Sequence, residues 1–113
     1  MQVGIDVGAT KIETVLLEQD GQERFRSRIS CPKNYTQIIT SIKDIHKKLE
    51  QEFKQDLPIG VCHPGVHSPQ TGLVKNVPNI SWLEKKPFQN DLRKALGKEV
   101  FCENDANCFA LSE

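Results

Sequence analysis

Apolar side chains take every second place at the start of the chain: Val3, Ile5 and Val7 alternate with Gln2, Gly4 and Asp6. A period of two belongs to a strand with one buried face, and this strand runs out into Asp6-Val7-Gly8-Ala9-Thr10-Lys11. Directly after the loop, Ile12 to Glu18 is again rich in β-branched and aliphatic residues. The loop therefore joins strand to strand. A Walker A loop is excluded, because it needs G-x-x-x-x-G-K-[ST] leading into a helix. Asp20-Gly21 provides the positive-φ turn that folds Gln22 to Ser30 back as a third, more polar strand. The opening is a β-meander, and whatever follows must cover one face of it.

The cover is legible in the next segment. Beyond Cys31-Pro32, Ile38, Ile42, Ile45, Leu49 and Phe53 recur at spacings of four, three, four and four through charged sequence, which predicts one face of an amphipathic helix. Pro58 to Cys62 reads as a buried strand entering His63-Pro64-Gly65. From there to Phe88 the chain is rich in Pro, Gly, Asn and Ser, the composition of a shaped surface loop. A short helix is expected over Phe88 to Leu96, stopped by Gly97, then a strand over Glu99 to Cys102 and a helix starting near Asn104. That last helix has barely two turns before Glu113, so the sequence reads as one half of a longer protein, residues 1–113 forming a single domain.

Bulk properties exclude several classes. Fifteen basic and fifteen acidic side chains cancel, which removes the long-range field that steers proteins to nucleic acid or anionic membrane. The first residues lack a basic n-region with an apolar core, and no apolar run approaches the roughly 20 residues of a membrane helix; a cytoplasmic protein is expected. Cys31, Cys62, Cys102 and Cys108 show no C-x-x-C spacing, and in that compartment they read as free, buried thiols.

Three groups of residues carry chemistry. In Asp6 to Lys11, Gly8 lets the backbone approach an anion, amides and the Thr10 hydroxyl donate, and Lys11 adds positive charge; Asp6 is suited to holding a hydrated Mg²⁺ beside phosphates. Taken alone, the same residues also make a plain tight turn. In Glu103-Asn104-Asp105-Ala106-Asn107, at a strand-to-helix junction, Asp105 is placed to accept a proton from a substrate hydroxyl while Asn104 bonds a neighbouring hydroxyl; N-caps have the same composition. The third group, His63-Pro64-Gly65, Thr71-Gly72, Asn76-Val77-Pro78-Asn79 and Trp82, combines amides, hydroxyls and one aromatic as a neutral polyol requires, although each Gly or Asn also serves as a turn residue. His63 and His67 read as loop histidines, with no metal spacing around them.

The order of these motifs, Gly4-Ile5-Asp6-Val7-Gly8-Ala9-Thr10-Lys11-Ile12-Glu13, His63-Pro64-Gly65, Thr71-Gly72, Asn76-Val77-Pro78-Asn79 and Asn104-Asp105-Ala106-Asn107, resembles the N-terminal domain of ROK family sugar kinases. The resemblance implies an α/β fold: an RNase H-like, actin-type ATPase half domain with a mixed five-stranded sheet, an N-terminal β-meander and flanking helices. It implies ATP and Mg²⁺ as cofactors, with Asp6, Gly8, Thr10 and Lys11 in the phosphate motif. Asp105 matches the catalytic base, and Gly65, Asn79 and Asn104 match positions that contact the sugar. The stretch from Ser68-Pro69 through Trp82 to Pro87-Phe88 looks most like the fructokinase or mannokinase branch, with N-acetylglucosamine or glucose kinases as the alternative.

The family's second domain, with its structural zinc motif, further sugar-contacting residues and adenosine pocket, has no counterpart in this sequence. An isolated half is expected to lack turnover and to self-associate through surface left uncovered. Two other classes compete. A ROK transcriptional repressor would need a helix-turn-helix module ahead of the first strand, and a non-catalytic interaction module would keep the same fold without the chemistry.

Overall fold

The computed structural model describes residues 1–75 and 83–104. Strands β1 (Gln2–Val7), β2 (Lys11–Leu17) and β3 (Glu23–Ser30) form the expected meander. β1 runs antiparallel to β2, from Gln2 opposite Leu17 to Val7 opposite Ile12, and β3 continues antiparallel on the far side of β2. Helix α1 (Tyr35–Phe53) carries the chain to β4 (Ile59–His63), and helix α2 (Phe88–Leu96) carries it to β7 (Val100–Asn104). β4 pairs parallel with β1, and β7 parallel with β4, giving the order β3-β2-β1-β4-β7. The sheet is therefore mixed and five-stranded, as the sequence implies.

Register explains why only one face needs a cover. Across the sheet Leu16, Val3, Ile59 and Val100 share a row, and the next row on that face holds Thr14, Ile5, Val61 and Cys102. Against these rows pack Ile38, Ile42 and Leu49 of α1 and Phe88 and Leu92 of α2, forming one buried cluster. A fully buried Leu, Ile or Phe contributes about 1.5–3 kcal/mol relative to exposure, so this face dominates the stability. α1 begins one turn before its first buried residue because Asn34 caps it, its Oδ1 accepting the Gln37 N–H at 3.1 Å. α2 ends at Gly97, whose φ of 70° allows its N–H to close on the Arg93 carbonyl at 2.9 Å.

Three expectations are corrected. The segment after β4 is not all loop: β5 (Val66–His67) and β6 (Val74–Lys75) pair as a separate antiparallel hairpin. Its turn closes from the Gly72 N–H to the Ser68 carbonyl at 2.8 Å. Strands of two residues are too short to show a period, so composition alone reads as loop. Asn104 stays in β7 instead of opening a helix; the proposed helix beyond it lies outside the described residues. Finally, Cys31 and Cys102 are free, but Cys62 is disulfide-bonded. Sequence spacing cannot see such a pairing, because it depends on which segments the fold brings side by side.

Candidate functional site

Because β1, β4 and β7 all run the same way, their C-terminal ends share one rim of the sheet. Adjacent strands lie about 4.8 Å apart, so β1 and β7 are separated by about 10 Å, the scale of a small ligand. Loops at the C-terminal ends of parallel strands are where open α/β sheets bind ligands. The register sets Asp6 beside Cys62, Cys62 beside Glu103, and His63 beside Asn104.

The β1–β2 turn supplies the first group. The Gly8 N–H bonds the Lys11 carbonyl at 2.8 Å, so this amide is engaged inside the turn. A side chain there would crowd the turn, since a Cβ would sit 3.3 Å from that carbonyl. The Thr10 carbonyl accepts the Cys31 N–H at 2.8 Å, bracing the turn against the end of β3. Asp6, Ala9, Thr10 and Lys11 are all exposed. Among the described residues no ion pair engages Asp6 or Lys11. By contrast Glu13, directly opposite Asp6 on β2, is occupied by Arg26 and by Arg28 at 2.9 Å.

The second group sits after β4. His63 is fully buried, with its Nδ1 2.8 Å from the Pro64 carbonyl oxygen. Its ring stands edge-on to Phe88, centroids 5.5 Å apart at 82°. Burial pushes its pKa down, opposed by the Pro64 bond and the charge of Glu103. Gly65 follows with φ of 80°, a left-handed conformation that other residues adopt only with strain. His63 is thus not the loop histidine expected from sequence but the last residue of β4, on the core face. The signal was present: Ile59, Val61 and His63 keep the period of two, which puts His63 on the core face.

Of the residues expected at a site, Asp6, Gly8, Thr10, Lys11 and Gly65 thus meet at one rim, and the backbone of Asn104 ends β7 at the same rim. Asn79 and Asp105 lie outside the described residues. Among the described residues there is no cluster of three metal-ligating side chains, and no helix is long and apolar enough to cross a membrane. Cys102 is no nucleophile near neutrality, since burial pushes its thiol up to about 12.

A β-meander followed by two parallel strands, helices over one face and an acidic strand end beside a hydroxyl-bearing turn define an actin-like ATPase half domain. The chain belongs to the ROK family, whose sequence pattern matches residues 2–113. It is 38% identical over 114 aligned residues to the N-acetyl-D-glucosamine kinase of Haemophilus influenzae (strain 86-028NP), an alignment covering 100% of this chain and 37% of that protein. Further curated relatives at 35 to 38% identity carry the same activity name. Among solved structures, the ROK hexokinase of Thermus thermophilus superposes with a TM-score of 0.82 at 28% identity, covering 97% of this chain and 37% of that one. An inorganic polyphosphate/ATP-glucomannokinase from Arthrobacter sp. strain KM gives 0.80 at 26% identity, covering 99% and 47%. The chain thus spans 37% of the length of the curated relatives it matches. The fructokinase leaning of the loop motifs finds no support in these relatives.

Proposed function

We propose that this chain supplies the phosphate-binding turn, part of the sugar site and the catalytic base of an ATP-dependent kinase acting on a hexose hydroxyl. N-acetyl-D-glucosamine is the favoured substrate, because the curated relatives are named for it. The observation that carries the proposal is the meeting of the Asp6–Lys11 turn, Gly65 and the end of β7 on one rim. The residues fit a nucleotide phosphate and its cation: glycine brings the turn close, and Thr10 and Lys11 offer an exposed hydroxyl and ammonium. Asp6 offers an exposed carboxylate of the hard-oxygen kind that suits hydrated Mg²⁺. Bound ATP supplies the phosphoryl group to be transferred.

This chain's own part is alignment and proton removal. Gly65, Asn79 and Asn104 hold sugar hydroxyls in place, and Asp105, next in sequence to Asn104, takes the proton from the hydroxyl that attacks. Lys11 offsets negative charge that builds up in the transition state. Phosphoryl transfer depends chiefly on such positioning and charge stabilisation. Excluding water from the reacting centre needs a cleft with two walls, and this chain offers one. The 113-residue chain alone is therefore expected to show no sugar-dependent ADP release.

The test is a coupled ADP-release assay of the longest in-frame product against N-acetyl-D-glucosamine, glucose, mannose and fructose, with Asp105→Asn alongside. The expected result is turnover of N-acetyl-D-glucosamine, cut by about 10²–10⁴-fold in the variant, the range of a lost general base. Equal rates for wild type and variant would remove Asp105 from the mechanism. Robust turnover by the 113-residue chain alone would remove the requirement for a second wall.

A further inference from the structure

His63 is fully buried, ends β4 at the rim, and has no part in the reading above. The Pro64 carbonyl can only accept a hydrogen bond, so the Nδ1 facing it at 2.8 Å carries the proton and donates. Phe88, itself fully buried, packs edge-on against the ring. The Pro64 carbonyl is therefore anchored inward, toward the core face. That carbonyl belongs to the same planar peptide as the Gly65 N–H, and in a trans peptide the two point in opposite directions. Among the described residues there is no cis peptide. Anchoring one end aims the other away from the core, toward the rim. The left-handed φ of Gly65 then turns the chain off into β5 without moving that peptide.

We infer that His63 is a positioning residue: its Nδ1–H, bonded to the Pro64 carbonyl, sets the Gly65 amide as a fixed hydrogen-bond donor toward a sugar hydroxyl. The inference rests on the reading of Gly65 as part of the sugar site. A donor held in place before the ligand arrives spares the ordering cost on binding, and a support that locks such a group is what a precise site requires. The substitution His63→Phe keeps an aromatic ring against Phe88 but removes the donor. His63→Asn places a side-chain amide N–H where Nδ1 was.

Nuclear magnetic resonance of the labelled 113-residue chain tests it. In the wild type, a long-range ¹H–¹⁵N spectrum should show His63 protonated at Nδ1. The Gly65 amide should shift in His63→Phe and move back toward the wild-type position in His63→Asn. Titration with N-acetyl-D-glucosamine, followed at the Gly65 amide, should show affinity lower by about fivefold in His63→Phe, the factor one net hydrogen bond carries, and recovered in His63→Asn. Protonation at Nε2 alone would overturn the proposal without any variant. So would a Gly65 amide indifferent to His63→Phe, or Asn and Phe variants that behave alike at equal folded fraction. If the coupling from His63 to Gly65 holds but sugar leaves the wild-type Gly65 amide unmoved, the sugar-site reading beneath the inference is what fails, and the role of His63 toward a ligand falls with it.

Discussion

Thr14 puts a hydroxyl into the middle of the core face, fully buried, with no hydrogen-bond partner for its Oγ1 among the described residues. Burying an unpaired hydroxyl costs about 1–3 kcal/mol, and valine has nearly the same shape. Thr14→Val is therefore expected to raise stability by about 1 kcal/mol, read as a higher urea midpoint with an unchanged slope. A lower midpoint would show that the hydroxyl is satisfied after all. Single residues were legible in the sequence where the backbone itself demanded them. Gly8 sits in the turn expected of it, and Gly65, a turn residue by composition, has a positive φ. The burial of His63 was legible in the period of two along β4, whereas the role of His46 was not, because it comes from a carbonyl reached in three dimensions, through a 2.8 Å contact from Nε2 to Leu57 O.

At the scale of elements, the C-terminal end of α1, the turn before β4 and the turn before β7 are tied by one cation. Lys98 Nζ bonds Glu50 Oε2 at 2.9 Å, the Leu57 carbonyl at 2.8 Å and the Asp56 carboxylate; Glu50 also accepts the Leu57 N–H at 2.8 Å. Burial alone would push the Lys98 ammonium down, but its bonds to Asp56 and Glu50 together outweigh that and hold it above the usual lysine range. Lys98 lowers the carboxyl of Asp56 in turn. The lysine's contribution is thus complete below its unfolded value, about 10.4, and fades as pH rises through the higher folded one. The aspartate's is present above its unfolded value, about 3.9, and fades as pH falls through the lower folded one. Lys98→Met should cost about 1–2 kcal/mol at pH 7 and flatten the acid limb of a denaturation-midpoint profile between pH 5 and pH 2. An unchanged acid limb would place the pH dependence elsewhere. None of this clasp shows in sequence, because its members are 40 or more residues from Lys98. The helix that carries half of it was legible from its apolar spacing, whereas β5 and β6 were too short to announce themselves.

For the molecule as a whole, the meander and α1 are local in sequence, but the rim is not: β4 must find β1 across more than fifty residues, and β7 must find β4 across about forty. Long-range pairings close late because the chain loses loop entropy before they return any stability. β7 pairs with β4 alone and ends the sheet at one side. Amide hydrogen exchange should therefore find β7 protected least of the five strands, with β1 at the global limit; equal protection of the two would mean that the sheet opens only as a unit. On a translating ribosome the consequence is one of timing. The turn of Asp6 to Lys11 exists as soon as the second strand has emerged, yet it stands alone until residue 104 has cleared the exit tunnel and docked. Until then its early strands can pair without being able to hold a ligand across the rim.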